Sequence, residues 1–111
     1  MRIGELATAT GVSVRALRFY EERGVLTPHR EPNGYRTFGP ADVATVGHVR
    51  TLLAAGLGLD VIREILSCMA GPELLLADCR GRLENERQRM IEQADQLNRA
   101  REILERLLAA G

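Results

Sequence analysis

A chain of 111 residues has room for one small domain, or a small domain with an appendage, and a unit of that size buries only part of its surface when it folds alone, a shortage that partnering would relieve. With 45% hydrophobic and 27% charged residues but only four aromatics, the composition excludes a disordered chain and a deep aromatic-lined pocket. The formal net charge of zero argues against a nucleic-acid partner on average, yet it is unevenly spread: residues 1–58 carry seven Arg against five acids, and residues 59–111 eight Arg against ten.

All fifteen basic side chains are Arg, the better bidentate partner for guanine edges and phosphates, although codon bias explains such usage equally well. No apolar run approaches the ~20 residues that a bilayer needs, and the N-terminus passes straight into an amphipathic pattern, so the expected location is cytoplasmic, with no membrane partner. Two cysteines, Cys68 and Cys79, fall short of a disulfide framework and are expected to be free thiols in a reducing compartment.

In chain order, Ile3, Leu6 and Ala7 give a short first helix that Gly11 ends with a left-handed cap. A second helix follows at once, with Ser13 as N-cap, Val14, Leu17 and either Tyr20 or Phe19 facing inward, and Gly24 closing it. Two short helices joined by a tight Gly-containing turn make a helix-turn-helix. Pro28 and Pro32 then forbid helix, and Asn33-Gly34 suits a type I′ hairpin turn, which predicts a small β-wing. Gly39-Pro40-Ala41-Asp42 opens a third helix that runs to about Ala55. After Gly56-Leu57-Gly58, the residues Val61, Ile62, Ile65, Leu66 and Met69 mark a fourth helix that stops at Ala70-Gly71-Pro72.

From Pro72 to the end the simplest reading is one long helix of roughly 35 residues, unusual for a globular domain by base rate. Leu76, Leu83, Met90, Leu97 and Leu104 recur every seven residues, and the partner heptad position holds Cys79, Glu86, Gln93, Ala100 and Leu107. A helix this long exceeds what so small a core can cover, which favours a dimerising coiled coil over packing within one chain. The expected fold is mostly α: residues 1–70 form a winged helix-turn-helix domain, and residues 72–111 a C-terminal dimerisation helix whose seam uses Leu76, Leu83, Met90, Leu97, Leu104 and Leu107.

Arg2-Ile3-Gly4-Glu5-Leu6-Ala7, the run from Gly11 to Glu21, the stretch Gly24 to Pro28 and Asn33-Gly34-Tyr35-Arg36 together carry a resemblance to the MerR family of bacterial transcription regulators, along essentially the whole chain. The resemblance implies a winged helix-turn-helix, a second wing around Gly56 to Leu59, and an antiparallel coiled coil joining two protomers. It also implies a homodimer on pseudo-palindromic double-stranded promoter DNA, set between promoter elements spaced too far apart. Such a dimer bends and undertwists the DNA and reaches RNA polymerase only indirectly.

The residues expected to meet DNA follow from placement. Arg15, Arg18 and Glu22 lie at i, i+3 and i+7 on the face opposite Val14 and Leu17, and Arg15 and Arg18 are the candidates for base and phosphate contact. Tyr20 resembles a family tyrosine near the DNA backbone and equally suits the core. In the wing, Arg36 should reach a phosphate, with Tyr35 beside it and Arg30 on the opposing strand, where Glu31 is an alternative partner for Arg30.

No metal or cofactor is expected. His29 and His48 have no partner at metal-ligand spacing. Cys79 resembles the helix-start cysteine of metal-sensing members, but Leu107-Leu108-Ala109-Ala110-Gly111 supplies no ligand, and one thiolate does not make a tight Zn, Cu or Hg site. The effector is not legible. No nucleophile–base pair or phosphate loop supports an enzyme. The alternative within DNA binding is an architectural, excisionase-like bending factor, against which the long seam argues.

Overall fold

Most of the helices begin where local chemistry satisfies their first unpaired N–H groups. The computed structural model of the protein describes residues 1–71, 74–75 and 79–111. Helix α1 (Ile3–Thr10) starts with the Arg2 N–H donating to Glu5 Oε1 at 3.1 Å and ends at Gly11, whose φ of 73° closes the last turn. Helix α2 (Val14–Glu22) is capped by Ser13 Oγ, which accepts from the Ala16 N–H at 3.1 Å. Gly24 then turns the chain at φ 77°, a left-handed conformation that favours glycine, and a Cβ there would press on the Arg63 side chain, with Cδ at 3.0 Å. Helix α3 (Pro40–Ala54) has Pro at its first position and a Gly39 N–H donating to Asp42 Oδ2 at 2.7 Å; α4 (Leu59–Ser67) follows Gly58.

Between α2 and α3 stands the wing, β1 (His29–Arg30) paired antiparallel with β2 (Arg36–Thr37), with Arg30 opposite Arg36. Its turn is not the type I′ form that Asn33-Gly34 suggested. Asn33 does not have positive φ; Gly34 does, at 88°, and its N–H donates to the Glu31 carbonyl at 2.9 Å. Pro32 decides this, because its fixed negative φ suits the first central position of a type I turn, leaving Gly34 as the left-handed residue of a three-residue loop.

The core of this unit is Leu6, Val12, Leu17, Tyr20, Val25, Leu26, Phe38, Val46, Val49 and Ile62, drawn from α1 to α4 and the segments between them. The N-terminus is tied in as well: the Met1 ammonium donates to the Phe38 carbonyl at 2.7 Å, and the Phe38 N–H to the Met1 carbonyl at 2.6 Å.

Beyond α4 the chain forms a second two-stranded sheet, β3 (Met69–Gly71) with β4 (Leu74–Leu75), and then α5 (Arg80–Ala110). The long helix therefore starts eight residues later than the expected Pro72. An unbroken apolar run such as Leu74-Leu75-Leu76 has no period that separates helix from strand, so the sequence pattern does not mark the helix start. The chain divides into two compact units, Met1–Leu74 and Leu75–Gly111. No residue of α5 is buried within one chain; Leu97, Leu104 and Leu107 are 72%, 59% and 65% exposed, Leu83 and Met90 are partly covered, and Leu76 lies outside the described residues.

Candidate nucleic-acid interface

Helix α2 is strongly two-faced. Leu17 is wholly buried and Tyr20 is 8% exposed, while Arg15, Arg18 and Glu22 stand in solvent around a shallow hollow that Val14 and Phe19 complete. Among the described residues, neither Arg15 nor Arg18 forms an ion pair or hydrogen bond, so both guanidiniums keep all five donors for an outside acceptor. The aromatic that faces outward is Phe19, 47% exposed, with the Arg23 guanidinium 5.8 Å from its ring centre. Tyr20 serves the core with its ring.

The wing supplies the second part. Tyr35 is 51% exposed and carries the Arg2 guanidinium 3.9 Å over its ring, an arrangement that holds a cation beside the hairpin tip. Arg2 was not singled out from sequence: thirty-three residues separate it from Tyr35, and no local pattern links them. Arg30 is exposed on β1 and unpaired among the described residues, since Glu31 Oε1 instead accepts from Thr37 Oγ1 at 3.2 Å. Arg36 does not stand free: its Nη1 donates to Glu21 Oε2 at 2.7 Å and Oε1 at 2.9 Å, leaving Nη2 and Nε uncommitted. Thus, among the described residues, Arg2, Arg15, Arg18 and Arg30 present cations without protein carboxylates, and Arg36 a partly neutralised one.

A further, exposed ion pair links the C-cap of α2 to α4: Arg23 Nη2 donates to Asp60 Oδ1 at 2.9 Å. The hydrogen bond from Arg23, then its charge, holds the Asp60 carboxyl below the ordinary aspartate range, with Arg63 adding to the effect. Because the folded-state value is lowered, the contribution is complete above the ~3.9 of an unfolded aspartate and fades as pH falls through the folded value. The melting temperature of Asp60→Asn is expected to lie slightly below wild type at neutral pH, with the gap closing on acidification below that range. A pH series of thermal melts checks this, and a gap that widens in acid contradicts it.

Among the described residues no group of three or more His, Cys, Asp or Glu is arranged to hold a metal ion. The cysteines depart from expectation: neither is a free thiol, and both Cys68 and Cys79 are disulfide-bonded. Compartment arguments report the redox environment and not the geometry a thiol meets, so they do not reach this feature. Among the described residues no helix is long and apolar enough to cross a membrane.

A helix-turn-helix packed on the core through Leu6, Leu17 and Tyr20, an outward arginine face and a flanking two-stranded wing define a winged helix-turn-helix protein. The chain belongs to the MerR HTH family of regulatory proteins, whose sequence profile matches residues 1–68. It is similar to heavy metal-dependent transcription regulator 2 of Rhizobium meliloti (strain 1021), with 38% identity over 68 residues, which are 60% of this chain and 46% of that relative. The chain thus spans about half the length of such a curated relative. Its fold is similar to that of a MerR family transcriptional regulator from Listeria monocytogenes (TM-score 0.80, 26% identity, 95% of this chain and 80% of that one). It is also similar to HiNmlR, a MerR family regulator lacking the sensor domain and bound to promoter DNA (TM-score 0.71, 25% identity, 97% and 86%).

Proposed function

We propose that the chain is a promoter-specific transcription regulator that binds a pseudo-palindromic element as a homodimer. Each protomer lays α2 in a major groove, the wing follows the flanking phosphates, and the paired α5 helices set the half-site spacing. Bending and undertwisting of the DNA between the half-sites then alters initiation, so that RNA polymerase is reached through the DNA and in the cytoplasm. The observation that carries the reading is the pair of uncommitted arginines, Arg15 and Arg18, on the exposed face of a helix whose other face buries Leu17 and Tyr20, beside the wing. Likeness to a DNA-bound family member supports it.

Selection from a random duplex library with the purified protein tests this. One inverted repeat supports the reading, and a folded, dimeric protein that selects nothing opposes it. Binding and bending without any change in a reporter's transcription would instead place the chain with architectural factors.

Dimerisation through α5 makes a separate prediction. A seam leucine stabilises by about 1.5–3 kcal/mol when buried, and a carboxylate in its place is penalised further. The double variant Leu97→Asp, Leu104→Asp is expected to be monomeric by sedimentation at concentrations where wild type is a dimer, with association weakened at least roughly hundredfold. Helix content in the N-terminal unit should persist. A dimer that survives both changes excludes this seam.

A further inference from the structure

The geometry points to Glu21 as a positioning residue for DNA binding: its carboxylate clamps Arg36 and thereby locks the wing to the recognition helix α2. This rests on the DNA-binding reading proposed above. Both carboxylate oxygens are engaged by one nitrogen of Arg36, at 2.7 and 2.9 Å, with the Arg36 and Glu21 side chains 34% and 21% exposed. Such half-covered, charge-assisted contacts hold geometry far better than a fully solvated pair.

Two features make the carboxylate unexpected at this place. Glu21 lies in the last turn of α2, where the helix dipole disfavours an anion. It also sits on one of the two elements that must approach DNA phosphates, where a negative charge opposes binding. A compensating role is therefore required, and the wing supplies the need for one. With two residues in each strand, β1 and β2 are too short to hold an orientation by their own pairing. The Met1–Phe38 backbone pair anchors the foot of the hairpin and Arg2 stacks on its tip, but among the described residues only Glu21–Arg36 joins a wing strand to α2 by a hydrogen-bonded ion pair.

The clamp also leaves Arg36 usable. Nη1 spends its hydrogens on Glu21, whereas Nη2 and Nε keep three N–H donors on the other edges of a rigid plane. A carboxylate behind a guanidinium in this way fixes where those donors point, so a phosphate meets a preset donor edge and not a flexible side chain. It also neutralises part of the Arg36 charge opposite Arg30 in the hairpin, where two like charges would otherwise repel.

The test uses a duplex selected by the wild-type protein and measures affinity against salt concentration for wild type, Glu21→Gln, Arg36→Gln and the double variant. Removing an anion from a DNA-facing surface should by simple charge tighten binding, so the clamp predicts the opposite sign. Glu21→Gln is expected to bind roughly tenfold more weakly, as when one good charged contact is lost. Its salt slope should be shallower by about one phosphate contact, matching Arg36→Gln, and the double variant should be no weaker than either single change.

A Glu21→Gln protein that binds as tightly as wild type, or more tightly, overturns the assignment while leaving DNA binding in place. A wild-type protein that selects no duplex overturns the DNA reading itself. Should Glu21→Gln melt below the assay temperature, Glu21→Asp keeps the charge and retracts the carboxylate. Weaker binding then supports the clamp, and unchanged binding overturns it.

Discussion

Arg18→Ala is expected to lower affinity for the selected inverted repeat by roughly ten- to a hundredfold per half-site while leaving the melting temperature within about 2 °C of wild type. The first figure follows from the ~1–3 kcal/mol that one bidentate arginine contact to a base edge contributes to discrimination. The second follows from the surroundings of Arg18: it is exposed, and among the described residues it carries no ion pair or hydrogen bond whose loss would be felt in the folded chain. Alanine is moreover the better helix former, so α2 itself is not weakened. Titration against both the selected duplex and a scrambled one separates a base contact from a phosphate contact. A base contact loses affinity mainly on the selected sequence, whereas a phosphate contact loses it on both and flattens the salt dependence. Unchanged affinity on the selected duplex removes Arg18 from the interface.

The parts of this structure that could be read from sequence are those whose causes are local. Ser13, Gly11, Gly24 and the Gly39–Asp42 segment each act within four residues, and the ends of α1, α2 and α3 fall where those residues put them. The wing was legible as a hairpin for the same reason, but its turn type was not, because Asn33-Gly34 and Pro32 make competing demands and the rigid ring prevails. Tyr20 and Phe19 were ambiguous since both lie near the edge of the apolar stripe. Packing against the core took the residue three positions after Leu17 and left its neighbour outside.

What escaped the sequence is mostly long-range. Glu21 and Arg36 are fifteen residues apart, Arg2 and Tyr35 thirty-three, and Arg23 and Asp60 thirty-seven, and no periodicity or cap joins such pairs. These contacts decide which arginines keep their charge for an outside partner. Arg15 and Arg18 keep theirs, Arg23 spends it on α4, and Arg36 shares it with α2. An arginine count over residues 1–58 treats these side chains as equal, and the structure shows that they are not.

Leu17, next to Arg18 in sequence but on the other face of α2, gives the converse result. Its side chain is fully buried within the ten-residue core that α1 to α4 share. Leu17→Ala removes three buried carbon atoms and leaves a cavity in that core, a change that in closely packed interiors lowers stability by about 2–5 kcal/mol. For a unit of this size each kcal/mol moves the midpoint by ~4–8 °C, so the melting temperature should fall by roughly 8–40 °C. Stability this small a domain can spare is limited, and part of the population should be unfolded at physiological temperature. Yet no DNA-facing group has been touched. At a temperature low enough for the variant to remain folded, its affinity for the selected duplex is expected to match wild type, and on warming, binding and helix content should be lost together. Calorimetry and a DNA titration at two temperatures check both halves. If Leu17→Ala lost affinity while still fully folded, core packing would be setting the pitch of α2 in the groove as well as its stability, and the clean division of this helix into a structural face and a reading face would fail.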